Sequence, residues 1–311
     1  MNSIKESLDR LIRGDSKNLD AYLLEVCKNQ HVDETKTEMH IFMLRLDGNN
    51  RPRINDLANF ISCCIIDYCI PPEEIAKAKK NDELQNTTLN MMKLYKKAES
   101  LFTDLNNTGE GGELLLSIMT QSILKIPQVL CKMPLKTNSK VHYHGADGLY
   151  GKYDDSTKKF CLYWGESKLY SDVDQALSKC FDSIKSLLIG EGATGTQRER
   201  DLTLFRDNID FDNEELEDAI LSYLNPDDTN YLKLEYRGVC LVGYDEEAYP
   251  KDLSGIETEI YDLIHNRVVD FKSKMTTRLK NRAPLNEFRL DVFLIPLSDV
   301  EEFRTQFLEV I

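Results

Sequence analysis

The clearest pattern of apolar and polar positions lies near the middle of the chain. Leu149 to Tyr153 leads into a polar turn, Asp154 to Lys159, followed by an apolar run from Phe160 to Trp164. Two short runs around such a turn predict a β-hairpin. In the second run Phe160, Leu162 and Trp164 fall on one face, and Cys161 and Tyr163 on the other. Apolar residues on both faces predict a strand covered on both sides, at the centre of a sheet. The same alternation continues to Glu166 and Lys168, which leave the face of Trp164.

Around this hairpin the apolar periodicity predicts a helix from Glu113 to Ile126 and a strand from Val129 to Met133. After it comes an amphipathic helix from Asp172 to Leu188, in which Val173, Ala176, Leu177, Cys180, Phe181, Ile184 and Leu187 keep helical spacing. Tyr231–Tyr244 and Phe288–Pro296 read as strands, Ile256–Arg282 as one long helix and Ser298–Val310 as a last helix. The N-terminal part reads as mostly helical. A first helix carries Ile4, Leu8, Leu11 and Ile12, and Gly14-Asp15-Ser16 breaks it from a second over Leu19–Cys27. A strand over Met39–Leu46 and helices over Asn55–Cys69, from Pro71-Pro72-Glu73-Glu74 onward, and over Thr87–Leu105 follow. The joint at 106–112, rich in glycine and asparagine, divides residues 1–105 from 106–311.

Asp147 stands at the start of the first hairpin strand, so it can aim at the point where Glu166 and Lys168 emerge. Two carboxylates offer hard oxygen ligands for a divalent metal such as magnesium. A neighbouring lysine adds a cation able to orient water or to stabilise a phosphate gaining charge. The competing reading is a turn at Asp147-Gly148 with Glu166 and Lys168 at a solvated strand end. The apolar residues on both faces of that strand weigh against it, because burying an unpaired charge is costly.

An Asp followed by Glu-x-Lys resembles the PD-(D/E)XK nuclease superfamily, with Asp147, Glu166 and Lys168 at the three positions and Ala146 where a proline usually precedes the Asp. The wording Gly145-Ala146-Asp147-Gly148 with Trp164-Gly165-Glu166-Ser167-Lys168, together with Gly112-Glu113-Leu114-Leu115 and Lys132-Met133-Pro134-Leu135-Lys136-Thr137, is similar to the HamA family of the Hachiman antiphage system. Glu-x-Lys alone arises by chance in most chains; the order of helix Glu, Asp-Gly, hairpin and Glu-x-Lys carries the likeness.

The resemblance implies an α/β fold with a restriction-endonuclease-like core, a mixed central sheet flanked by helices. It implies cleavage of DNA phosphodiesters with Mg2+ (or Mn2+) held by Asp147 and Glu166. Glu113, near a helix start that favours a carboxylate, would complete the site, with Glu110 as its competitor. Lys168 would act on the attacking water. It also implies a HamB-like helicase partner. A non-catalytic adaptor on the same scaffold, docking a helicase, is the alternative.

Composition bears on this reading in two ways. The formal net charge is −14, so unaided tight binding of DNA is not expected. Between Ile126 and Tyr170, however, seven lysines face four carboxylates, a local basic excess suited to a phosphate backbone. The later half of Ile256–Arg282 is also basic, and Lys93, Lys96 and Lys97 give a third basic stretch. The eight cysteines lack a Cys-x-x-Cys pair and sit in apolar surroundings, as reduced core thiols do. With no long apolar run and no apolar leader, a cytoplasmic protein without a membrane span is expected.

Three further features carry less. His142 and His144 share a face without a third ligand. Gln175 and Lys179, one turn apart, can point toward the site. Gly190 to Gly195 matches G-x-G-x-x-G but follows a helix, so it lacks the strand-turn-helix that cradles phosphates.

Overall fold

The computed structural model describes residues 3–102, 109–133, 145–190, 196–211, 213–249 and 255–311. His142 and His144, and residues 191–195 of the glycine-rich loop, lie outside them.

Among the described residues a seven-stranded mixed sheet forms the centre, in the order β1-β2-β7-β6-β5-β4-β3. The strands are β1 (Leu23–His31), β2 (Lys36–Leu44), β3 (Gln128–Leu130), β4 (Gly148–Asp154), β5 (Lys159–Leu169), β6 (Leu234–Asp245) and β7 (Arg289–Leu297). β2, β7, β6 and β5 run parallel to one another, and antiparallel pairs flank them, β1 on one side and β4-β3 on the other. The α/β class with a mixed sheet between helices is the one the sequence predicts.

Thirteen helices accompany the sheet among the described residues: α1 (Ile4–Asp9), α2 (Ser16–Leu19), α3 (Ile54–Ser62), α4 (Ile65–Cys69), α5 (Pro72–Gln85), α6 (Leu89–Glu99), α7 (Glu110–Ile123), α8 (Val173–Ile189), α9 (Gln197–Asp207), α10 (Glu214–Leu224), α11 (Glu257–Asn266), α12 (Val268–Lys280) and α13 (Val300–Val310). None is long and apolar enough to cross a membrane. The order α7, β3, β4, β5, α8 and, after the two further helices α9 and α10, β6 keeps the expected helix, strand, strand, strand, helix, strand.

β5 lies between β4 and β6, and every residue from Phe160 to Trp164 is buried on both faces. The alternation of its side chains assigns the two covering layers. On one face α7 approaches so closely that a Cβ at Gly112 would stand 2.5 Å from Ser167 Oγ. Phe303 and Phe307 of α13 back the same helix at Gly111. On the other face the α8 thiol Cys180 Sγ donates to Glu166 O at 3.6 Å, and Ile184 packs against Gly238 of β6. Glu166 and Lys168 therefore emerge on the α8 side, at the end of a strand whose earlier residues are core.

Several elements differ from the sequence reading, and the helix expected over Asn55–Cys69 is two, α3 and α4, parted at Cys63 and Cys64. Leu19–Cys27 does not form a helix: β1 begins at Leu23 and joins β2 in the same sheet. Of the apolar residues with helix-like spacing, Leu19 closes the short helix α2, and Leu23, Val26 and Cys27 belong to β1, where a register shift between Glu25 and Cys27 breaks the strand's alternation. The long helix over Ile256–Arg282 is two, α11 and α12, parted at Arg267. That guanidinium donates to the buried carboxylate of Glu246 at 2.6 Å and stacks 5.1 Å from the Phe271 ring.

Candidate active site

The hairpin register builds the site. Gly148 pairs with Gly165 in the antiparallel β4–β5 ladder, which puts Asp147 opposite Glu166. Asp147 N–H donates to Gly165 O at 2.9 Å, so the ladder extends one residue beyond β4. Ser167 N–H donates to Asp147 Oδ2 at 2.7 Å and holds the carboxylate against the strand that bears Glu166. From α7, Glu113 completes the group. The hydroxyl of Tyr68 in α4 reaches both Glu113 Oε2, at 3.1 Å, and Asp147 O, at 3.2 Å. A cavity of about 380 Å3 opens here, with Glu113, Asp147, Glu166 and Lys168 on its walls.

The electrostatics of the four residues are strained. Asp147 lies deep in the cavity, and burial, together with repulsion from Glu166 and Glu113, pushes its carboxyl well above the usual range, against the pull of Lys168 and of Ser167 N–H. Glu166 is raised in the same direction by burial, against the pull of Lys168 and Ser183. Lys168 donates to Glu166 Oε1 and, at 3.2 Å, to Ser167 O. Burial alone would lower the Lys168 ammonium, but Glu166 and Asp147 outweigh it and hold the ammonium above its ordinary value. The lysine is therefore a fixed cation, and the negative charge around it is more than it can balance alone.

A larger cavity, of about 1070 Å3, lies elsewhere, beyond the ends of β6 and β7, with Asp47, Asp56, Asp245, Glu246, Asp299 and Glu302 on its walls. Its carboxylates are largely engaged within the fold: Asp47 accepts from the backbone of Asn49 and Arg51, Asp56 pairs with Arg53, and Asp245 caps Val300 N–H. Size alone does not make it the chemical centre. The smaller cavity is where buried carboxylates repel one another beside a lysine.

The smaller cavity suits a divalent cation by its donors. Asp147 and Glu166 are mutually repelling hard oxygen ligands, and a cation between them would relieve the repulsion. Among the described residues no three His, Cys, Asp or Glu side chains stand close enough together to cage a metal. Magnesium does not require such a cage, since it usually keeps several waters and takes only one or two carboxylates.

The family model of HamA matches residues 20–311. The chain belongs to the HamA family. No curated protein matches it. HamA is a component of an antiphage defence system, which gives this chain its setting, and the match extends well beyond the site wording on both sides.

Within this HamA chain all four residues singled out from the sequence, Glu113, Asp147, Glu166 and Lys168, line the one cavity, and Glu110 is not on its walls. Gln175 and Lys179 do not line it either. The walls from α8 come one and two turns later, from Ser183 and Ser186, because α8 crosses the end of β5 with its later half. Gln197, at the start of α9, closes the same side, and its side-chain oxygen accepts from Ser186 Oγ at 3.0 Å.

The basic stretches are less open than their sequence suggests. In the hairpin region Lys132 is buried against Asp201, Lys152 donates to Leu124 O, Lys158 pairs with Asp155 and Lys159 with Glu235. Lys136 and Lys140 lie outside the described residues. On α12 and just past it, Lys272, Lys274, Arg278, Lys280 and Arg282 pair with Asp33, Asp174, Asp174, Glu34 and Asp182 respectively. Lys96 and Lys97 pair with Glu99 and Glu74.

Three contributors escaped the sequence reading. Tyr68 looked like one more apolar residue of a buried helix, Lys132 stood in the family-like wording without a role of its own, and Asp201 fell in a stretch without a motif. Only side-chain geometry reveals them.

Proposed function

We propose that this HamA chain is a metal-dependent deoxyribonuclease that hydrolyses phosphodiesters as the effector of its defence system, under the control of a helicase partner. The convergence of Asp147, Glu166, Lys168 and Glu113 on one cavity carries this reading. It rests as well on the likeness of their order in the chain to the PD-(D/E)XK nucleases.

Asp147 and Glu166 would hold Mg2+ or Mn2+, and Glu113 would join them directly or through a water. A metal bound there supplies Lewis acidity, lowering the pKa of a bound water and shielding phosphate charge. The chain's own residues do the rest. Ser167 N–H and the Tyr68 hydroxyl keep the Asp147 carboxylate and its main chain in place, so the ligands are set before substrate arrives. The carboxylates beside Lys168 favour its charged form, which suits it to the role of a cation. It orients the attacking water through a hydrogen bond and offsets the charge that grows on the phosphate oxygens. Ser183 and Ser186 add neutral hydroxyls to the wall that faces Lys168.

The net charge of −14, and the ion pairs that engage the described cations of α12 and Lys132, Lys158 and Lys159 near the hairpin, leave the chain with less to grip DNA by itself. A helicase that holds and presents the strand supplies what the nuclease lacks and keeps its cutting conditional.

The test is plasmid cleavage by the chain alone and with the helicase, in Mg2+ and in EDTA, with Lys168→Ala, Glu166→Ala and Asp147→Ala. Cleavage in Mg2+ should fall by a factor of about 10² or more in each variant while far-UV circular dichroism is unchanged. Variants that cut like the wild type would overturn the assignment. The adaptor alternative predicts that Mg2+ and Mn2+ leave the melting temperature unmoved.

A further inference from the structure

A buried ion pair stands directly behind Asp147. Lys132, just after β3, is 2% exposed, and Asp201, in α9, is 0% exposed. Asp201 Oδ1 accepts from Lys132 Nζ at 2.8 Å, and its Oδ2 accepts from Trp164 Nε1 at 3.2 Å and from Ala146 N–H at 3.3 Å. Lys132 Nζ also donates to Ala146 O at 2.9 Å. Both main-chain polar groups of the residue before Asp147 are thus gripped by the two halves of one ion pair. The aspartate is itself anchored to Trp164, two residues before Glu166 on β5.

A buried ion pair is a poor device for stability alone. Desolvating both charges offsets their attraction, and apolar residues of similar size often serve as well or better. What apolar residues cannot do is hold peptide groups. Ala146 lies beyond the last ladder bond of the hairpin, and it is buried, so its N–H and C=O need partners that the sheet does not provide. The pair provides them, and it ties the Asp147 end of the hairpin to the same β5 that carries Glu166.

We propose that Asp201 and Lys132 are positioning residues that fix the Gly145–Gly148 segment, and with it the Asp147 carboxylate, relative to Glu166. The functional side of this inference rests on the metal-site reading above; its structural side does not.

The experiment compares wild type, the single variant Asp201→Asn, and the double variant Lys132→Met with Asp201→Leu, each as the full chain. The double variant removes both charges at similar volume, so that no charge is stranded in the core as a single change would leave it, and its melting temperature checks that it folds. Three readouts are taken: melting temperature, amide hydrogen exchange of residues 145–149 without metal, and Mn2+ affinity by titration. Exchange in that segment should speed up by about tenfold or more in the double variant, while β6 and β7 stay protected. Mn2+ affinity should weaken by about tenfold, as for other residues that orient metal ligands. A purely structural role would lower the melting temperature and leave the exchange pattern and Mn2+ affinity of the folded protein alone; that result overturns the proposal. If wild type binds no Mn2+ and cuts no DNA, the nuclease reading fails. The exchange data still decide whether the pair holds the Asp147 segment.

Discussion

Gly112→Ala tests whether α7 must lie as near β5 as it does. Position 112 is in the first turn of α7, one residue before Glu113. A Cβ there would stand 2.5 Å from Ser167 Oγ and 3.1 and 3.2 Å from Leu169 Cδ1 and Cγ. With open space, alanine would stabilise the helix by about 0.5–1 kcal/mol over glycine. Overpacking costs about 1–3 kcal/mol. The lower part of that range applies, because Ser167 Oγ can rotate aside while the two Leu169 atoms must shift. The net expectation is a loss of about 1 kcal/mol. For a chain of 311 residues, with unfolding entropy near ~2.1 cal/mol/K per residue, this is a drop of only about 1.5 °C in melting temperature, so urea denaturation is the better assay.

Ser167→Ala supplies the control for that variant. It removes the nearest clash, so the double variant should recover about 0.5 kcal/mol or more of the loss, a coupling that independent sites would not show. Cleavage is the second readout. Pushing the start of α7 outward moves the Glu113 carboxylate, and a displacement near 1 Å can cost about 10²-fold in rate. If Gly112→Ala is more stable than wild type and cuts with the same Mg2+ requirement, the close approach of α7 is not what sets Glu113, and the reasoning fails.

Two other expectations come from the same cavity. The raised Asp147 carboxyl means that folding favours its protonated form. Its contribution to stability is therefore complete below the ordinary value of 3.8 and lost as pH rises through the raised one. In EDTA, Asp147→Asn should gain on wild type in urea denaturation as pH rises above 3.8, while losing cleavage; a difference that does not vary with pH would count against it. Tyr68→Phe removes the hydroxyl shared by Glu113 and Asp147 O and should cost about 1 kcal/mol. It should also raise the Mg2+ needed for half-maximal cleavage, and an unchanged metal titration would show that Tyr68 is packing only.

How much of this was legible in the sequence depends on the kind of pattern involved. Alternation over Phe160–Trp164 revealed a central strand because no bulge interrupts it, and the same count carried Glu166 and Lys168 to one face. β1 hid itself because a register shift beside Val26 broke its alternation, and Leu19 of the preceding short helix α2 extended a helical spacing into it. Arg267 parts α11 from α12 by a contact with Glu246, a partner far away in sequence, so the periodicity ran straight across the break. The basic stretches misled for a related reason. A count of lysines is local, whereas the acids that neutralise them come from other elements, as Asp33 and Asp174 do for α12. The positions of Ser183 and Ser186 depend on the angle at which α8 crosses β5, which helical spacing does not specify.

The parallel pairing of β2 with β7 has a consequence for the order in which the protein can be built. Among the described strands β2 pairs with β1 and β7, and its partners in β7 run from Arg289 to Leu294. A growing chain therefore holds the first hairpin without a place in the sheet until nearly everything else has been synthesised. Such late closure between distant strands is slow, and it exposes strand edges meanwhile. On the proposed nuclease reading, residues 147 to 168 leave the ribosome long before β6 and β7, so a half-made chain carries the site's hairpin with the β6 edge of β5 still unpaired. The sheet around the proposed site is thus completed only when synthesis is almost over.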